Sequence, residues 1–255
     1  MIVLDKVSKV FANSANPVVD ELSLSVERGS LLVLLGESGC GKTTTLKMIN
    51  RLIEVTSGDI FFNGRNILDS KPVELRRQIG YVFQGIGLFP HLSVAKNIAV
   101  VPELLEWPET KTKTRVEELL ALTGLAPQEF SQRYPHELSG GQQQRVGVAR
   151  ALAAGPELLL MDEPFAALDP ISRDELQREI IALKRSLGLT IVLVTHDVTE
   201  ALLMADNIAV MRAGRLIETG TPEQLVNSSQ NEYVRALLEM PKRQAARVMA
   251  MGRSQ

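Results

Sequence analysis

Apolar and polar residues alternate over Ile2 to Val7 and again over Leu22 to Val26, the period of strands buried on one face. Leu31 to Leu35 is apolar throughout, as in a central strand covered on both faces. A glycine-rich turn follows. Leu46, Ile49, Leu52 and Ile53 then recur at helical spacing and predict a helix that Ser57-Gly58 ends. Ile60 to Phe62 before Asn63-Gly64 reads as a strand and turn, and Gly80 to Phe83 as a further short strand. From about Leu88 to Ala153 the pattern turns helical, interrupted at Pro102, Pro108, Gly124, Pro127 and Pro135. Val116, Leu119, Leu120 and Thr123 mark one amphipathic helix there, capped by Gly124. Buried-strand runs return at Leu158 to Met161 and Ile191 to Val194, and a strand–helix–strand pattern closes near Thr219.

Strands alternating with helices predict an α/β protein whose sheet is mostly parallel and covered on both faces, with the middle block as a helical insertion. Composition adds limits. At 255 residues, 45% hydrophobic and 23% charged, the chain suits a soluble globular protein of one domain or two closely joined ones. A net charge of -2 argues against a nucleic-acid partner held by phosphate neutralisation. The longest apolar runs, such as Leu31 to Leu35 and Ile208 to Met211, fall far short of the ~20 residues of a membrane span. Charges recur through Met1 to Val7, which is therefore no signal peptide. A membrane role would come through a partner. Cys40 is the single cysteine, which rules out an intrachain disulfide and fits a reducing compartment.

The chemistry begins at Gly36, Glu37, Ser38, Gly39, Cys40, Gly41, Lys42 and Thr43, a glycine followed after four residues by Gly-Lys-Thr. This is the phosphate-binding loop pattern, set between a buried strand and a helix. Its glycines let backbone N–H groups converge on phosphate oxygens in front of a helix N-terminus. Lys42 would reach the outer phosphates, and the Thr43 hydroxyl would join Mg²⁺. Leu158 to Asp162 is a buried strand ending in Asp162 and Glu163. Asp162 is placed to hold Mg²⁺, and Glu163 to act as general base on the attacking water. Ser139, Gly140, Gly141 and Gln142 form a capping box, so a helix begins there and runs through Val146, Ala149 and Leu152 to Gly155-Pro156. Adjacent glycines in a first turn cost about 1 kcal/mol each relative to alanine. Such a cost is explained if the backbone has to approach something closely, such as a terminal phosphate.

Together with Thr195-His196-Asp197, these motifs resemble the nucleotide-binding subunit of ABC transporters over almost the whole chain, from about Leu4 to Leu238. The resemblance implies a P-loop NTPase (RecA-like) core at about 1–87 and 154–238, with an N-terminal antiparallel β part. It implies an inserted α-helical subdomain at about 88–153, and leaves 239–255 as a short tail. It also implies ATP and Mg²⁺ as ligands, and a dimer with a second copy of the chain or a close paralogue. In that dimer each ATP lies between Gly36 to Thr44 of one protomer and Ser139 to Gln142 of the other. His196 corresponds to the switch histidine at the γ-phosphate, and Gln84 to a hinge residue that touches Mg²⁺. Phe11 corresponds to the aromatic that stacks on adenine, and Asp169 to a loop contacting the opposite protomer. Leu88, Phe89, Pro90 and Leu92 stand where transmembrane permease subunits dock, or else form core. The implied location is peripheral, on the cytoplasmic face of the cell membrane.

The segments IGLFPHLSV, YPHELSGGQQQRVGVARALA and MDEPFAALDP narrow the resemblance to importers of quaternary amines such as glycine betaine and choline, which also use a solute-binding protein. An importer for another small solute is the alternative. Gly85 and Gly155 depart from that group, which commonly has glutamine and an acid there. Many of its members also carry a C-terminal regulatory domain, whereas Lys242 to Arg247 reads as a solvated tail or short helix. Coiled-coil and tandem ABC ATPases do not fit a single cassette, and a kinase would leave Ser139 to Gln142 without a role. His91 and His136 share no ligand spacing with His196, so no zinc site is expected. Cys40, between a helix N-terminus and Lys42, is expected to be a low-pKa, alkylatable thiol.

Overall fold

The structure, a computed structural model, describes residues 1–12 and 16–252. The first strand, β1 (Ile2–Lys9), buries Ile2, Leu4 and Val7, and β2 (Val19–Val26) buries Val19, Leu22, Leu24 and Val26. The alternation in β1 skips a place after Leu4. Lys6, at φ 46°, makes a bulge there that lets Val7 pair with Leu22 on the buried face. β3 (Leu31–Leu35) is buried throughout, as its unbroken apolar run predicts.

The helix α1 (Lys42–Ile49) is shorter than its predicted pattern. Arg51 takes a left-handed φ of 49°, and the N–H groups of Leu52 and Ile53 turn back to the Lys47 carbonyl at 2.8 and 3.2 Å. The chain is closing its helix end there, so Leu52 is exposed rather than on the buried face. β4 (Ser57–Phe62) and β5 (Arg65–Asn66) follow.

Next come α2 (Pro72–Arg77), β6 (Ile79–Val82) and the predicted helical block. That block contains α3 (Val94–Leu104), α4 (Glu109–Leu122), α5 (Pro127–Phe130) and α6 (Gly140–Leu152). Pro108 caps α4 and Pro127 opens α5, both places where a missing N–H costs nothing. Pro102 does not interrupt as predicted, but sits inside the last turn of α3. β7 (Leu158–Asp162), α7 (Pro170–Leu187), β8 (Thr190–Thr195) and α8 (Val198–Met204) lead to the hairpin of β9 (Asn207–Arg212) and β10 (Arg215–Gly220). α9 (Pro222–Ser228) and α10 (Glu232–Gly252) end the described chain. α10 runs unbroken past Leu238 into the stretch read from the sequence as a solvated tail or short helix. Arg253, Ser254 and Gln255 of that tail lie outside the described residues.

The chain forms two compact units. One comprises residues 1–26, 30–66 and 193–255. It holds an antiparallel sheet in the order β2-β1-β4-β5, together with β3, which pairs parallel with β9 while β10 runs antiparallel to β9. The other comprises residues 27–29 and 67–192. In it β6 pairs parallel with β7, and α6 packs on β6, α3, α4 and α7. Val146, Val148 and Leu152 of α6 and Ile98 of α3 supply buried apolar surface to this unit.

Candidate functional site

In the first unit, the loop from Gly36 to Gly41 joins β3 to α1, and its shape depends on missing side chains. A Cβ on Gly36 would lie 2.2 Å from the Met211 carbonyl oxygen. Gly41 has φ +102°, and a Cβ there would meet the Val18 carbonyl at 2.6 Å. The loop is thus pressed against the β9 end and the approach to β2. Lys42 is almost wholly buried, and its ammonium donates to the carbonyls of Gly36 at 2.6 Å and Glu37 at 2.8 Å. Those carbonyls solvate the charge that desolvation would otherwise penalise. Thr43 and Thr44 are half-buried in the first turn of α1, while Glu37, Ser38 and Gly39 are exposed.

Cys40 corrects an expectation. Its thiol is only 6% exposed, and burial pushes its pKa up, outweighing the lowering effect of Lys42. Lys42 does act in the lowering direction anticipated, but nothing in the local pattern measures how tightly the loop closes over the sulfur.

Phe11 is 39% exposed with the Lys9 ammonium 5.2 Å from its ring centroid, so it is not a core aromatic. His196 is exposed between two pinned residues. On one side the Thr195 hydroxyl donates to buried Glu200 at 2.5 Å and accepts from the Asp197 N–H at 3.0 Å. On the other the Asp197 carboxylate caps α8, accepting from Thr199 and Glu200 N–H groups at 2.7 and 3.2 Å.

The second unit brings three of the predicted polar residues close to one another. Asp162 ends β7 almost fully buried, and the Tyr81 hydroxyl of β6 donates to it at 3.5 Å. Burial, with the Asp162 charge added, raises the Tyr81 pKa and keeps it a donor. Glu163 is half-buried at φ 45°, a left-handed backbone for a residue with a side chain. Gln84, exposed just after β6, donates its amide N–H to Glu163 at 3.3 Å. Arg150, near the end of α6, donates to the carbonyls of Ile86 at 2.9 Å and Gly87 at 2.7 Å, which fixes the loop beyond Gln84.

The predicted capping box of α6 is present: Ser139 accepts from the Gln142 N–H at 3.3 Å, and Gln142 accepts from the Ser139 N–H at 3.0 Å. Arg145 of the same helix pairs with Glu175 at 3.3 Å and with Glu179, both on α7. Asp169 caps α7, and hydrogen bonds from Ser172 and then Ile171 hold its carboxyl below the ordinary range. Around Gly140 a Cβ would meet nothing within 4 Å, and at Gly141 only the Ser172 side chain at 3.4 Å. Neither glycine has a positive φ. Packing within this chain therefore does not explain the two glycines.

Among the predicted docking residues, Phe89 and Pro90 are exposed, and Leu88 and Leu92 are half-buried. Arg150 lies 5.9 Å from the Phe89 centroid. Two contacts had no sequence signal: Tyr81 on Asp162, and a hydroxyl of Tyr233 donated to Glu37 at 3.3 Å across most of the chain length. No helix among the described residues is long and apolar enough to cross a membrane.

Residues 19–166 match the family model described as ABC transporter. The chain is 55% identical over 92% of its length to the glycine betaine/carnitine/choline transport ATP-binding protein OpuCA of Bacillus subtilis (strain 168), and spans 61% of that protein. It is 53% identical, again over 92%, to the glycine betaine uptake system ATP-binding protein YehX of Escherichia coli (strain K12), spanning 75% of it. The chain thus covers about three fifths of the first relative and three quarters of the second. Among solved structures, a dimeric ATP-binding cassette in a post-hydrolysis state, bound to ADP and Pi, superposes with a TM-score of 0.78 at 30% identity. That match covers 87% of this chain and 99% of the other. An antiparallel N-terminal sheet, a mostly parallel core sheet and a helical insert, joined to these matches, mean that the chain belongs to the ABC transporter family of ATP-binding proteins.

Proposed function

We propose that this chain is the ATP-hydrolysing subunit of an importer for quaternary-amine osmoprotectants such as glycine betaine, choline or carnitine. It works as one half of a dimer, attached to transmembrane subunits that are served by a solute-binding protein. Residues 1–238 form the cassette in this reading. The observation that carries it is the pair Gly140 and Gly141 at the head of α6, where no packing in the chain demands glycine. A requirement from outside the chain accounts for them: the backbone is left bare so that the phosphate of an ATP bound to a second copy can approach closely. The dimeric state of the cassette bound to ADP and Pi supports the same reading.

The residues divide the work. The backbone N–H groups of Gly39 to Thr43 and the Lys42 ammonium bind the phosphates, and Phe11 offers a face to adenine. Glu163 takes the proton of the attacking water, Gln84 orients that carboxylate, and His196 holds the water and γ-phosphate in line. In this reading the donors to a hard cation would be the Thr43 hydroxyl, the Asp162 carboxylate, which accepts from the Tyr81 hydroxyl, and the side-chain oxygen of Gln84. The described residues contain no cluster of three or more acids, histidines or cysteines able to cage a metal. Mg²⁺ fits such a donor set, since it is typically held by one or two protein oxygens along with substrate phosphates. When bound it neutralises charge on the phosphates.

Identities of 53–55% to proteins named for glycine betaine, carnitine and choline transport support the substrate class. The test is to purify the tagged chain with its membrane and solute-binding partners, screen the latter for ligands, and measure ATP-driven uptake in proteoliposomes. Uptake of glycine betaine, choline or carnitine is the expected result. A binding protein that ignores all three and takes another solute would overturn the substrate assignment.

A further inference from the structure

Glu37 puts a carboxylate into the loop that the proposed function assigns to phosphates, where like charge works against binding. The side chain is not left loose. The Tyr233 hydroxyl of α10 donates to Glu37 Oε1 at 3.3 Å, and the Arg212 guanidinium at the end of β9 stands 4.4 Å from the Tyr233 ring centroid. All three belong to the same unit. Burial and the Glu37 charge both raise the Tyr233 pKa, so the phenol stays a donor. α10 is in turn fixed by Val234 and Leu238, which are buried, and its start by Asn231, whose side chain accepts from the Tyr233 and Val234 N–H groups at 3.0 and 3.3 Å. At the other end of the relay, the Glu37 carbonyl already accepts from Lys42 at 2.8 Å. A residue of the C-terminal helix thereby touches the same loop residue as the phosphate-binding lysine.

We infer that Tyr233 is a positioning residue that holds the Glu37 carboxylate away from the phosphates, so that the seating of α10 and the affinity for ATP depend on each other. The inference rests on the reading of Gly36 to Thr44 as a phosphate site. Coupling of this kind is reciprocal: whatever loosens α10 weakens nucleotide binding, and nucleotide tightens α10. It gives any partner or chain segment that moves α10 a route to the ATP site.

The test uses the full chain and calorimetric titration with ADP and a non-hydrolysable ATP analogue. Tyr233→Phe should raise the Kd of the analogue about three- to ten-fold, the range for the net contribution of one ordinary hydrogen bond. Its effect on ADP should be smaller, because the γ-phosphate charge is absent. Glu37→Gln should bind the analogue at least as well as the original chain, and the double variant should match Glu37→Gln, because the charge to be restrained has gone. Hydrogen exchange of Glu232 to Leu238 should slow on adding the analogue to the original chain, and not in Tyr233→Phe. A chain that binds neither nucleotide overturns the phosphate-site reading and this inference with it. Normal binding with Tyr233→Phe unchanged, additive losses in the double variant, or α10 exchange indifferent to nucleotide each overturn this inference alone.

Discussion

The side-chain amide of Gln84 donates to the carboxylate of Glu163 at 3.3 Å, which joins the loop after β6 to the end of β7. The parallel pairing of these strands sets both residues at neighbouring carboxyl ends, a common place for ligand chemistry in α/β sheets. Glu163 is also held at a backbone angle that a non-glycine residue rarely adopts, at a cost of roughly 1–3 kcal/mol. A residue kept strained and aimed in this way is suited to a role that needs one orientation.

Glu163→Gln is therefore expected to lower turnover by about 10²–10⁴-fold, the usual effect of removing a general base, with little change in ATP affinity. With cleavage stopped, an ATP-dependent dimer should accumulate. Size-exclusion chromatography with Mg-ATP checks this, and a chain that stays monomeric while binding ATP argues against the sandwich arrangement.

Gln84→Ala removes one hydrogen-bond donor to Glu163 but leaves the carboxylate proposed as the base. Loss of one hydrogen bond of this kind corresponds to about a ten-fold fall in ATPase activity of the free subunit. If Gln84 also couples to the membrane subunits, transport in proteoliposomes should fall further than ATP hydrolysis does. Equal losses would restrict Gln84 to orienting the base.

Much of this arrangement was legible in the sequence because it is local. Ser139 and Gln142 are three residues apart, and their reciprocal bonds need only a helix start. The buried run of β3 and the turn after it likewise define the loop from Gly36 to Gly41 within a dozen residues. What stayed hidden depends on approach between distant segments. Burial of Cys40 follows from the loop's closeness to β9, and the Tyr233 contact joins residues far apart in sequence. The early stop of α1 was missed because the apolar spacing continues past it, while the left-handed turn at Arg51 leaves no trace in hydrophobicity.

Gly140→Ala separates function from stability. A Cβ there meets nothing within 4 Å, so the isolated chain should lose no stability and gain up to about 1 kcal/mol in urea unfolding. Turnover should nevertheless drop at least about ten-fold if the bare helix start must receive a phosphate from the partner's ATP. A variant that is both stabilised and fully active would remove the reason given for the glycine pair.

A composite site, as proposed, predicts complementation between two inactive variants. Lys42→Ala damages the phosphate loop, and Ser139→Arg blocks the head of α6. A mixed dimer has one site carrying both defects and one carrying neither. Mixing the variants should therefore restore ATPase activity, up to about half the original per dimer when all dimers are mixed. A mixture as inactive as its components would mean that each site is built from a single chain.

The Cys40 thiol should behave as a buried group. Its folded pKa is raised, so at neutral pH it stays protonated and maleimide should label the folded chain slowly, speeding up in urea. The sign of the pH effect follows from the same shift. Once the pH passes the unfolded value, near ~8.5, the unfolded chain gives up the thiol proton before the folded chain does. Stability should thus be independent of this group below that pH and decline as pH rises from there toward the folded value. Cys40→Ala should flatten that decline in urea titrations between about pH 8.5 and 9, below the range where tyrosines ionise. Rapid stoichiometric labelling of the folded chain at pH 7, or an alkaline decline unchanged in Cys40→Ala, would mean that the loop does not close over the sulfur. If labelling is slow as expected, bound ATP should slow it further, because the phosphates would fix the loop that covers Cys40.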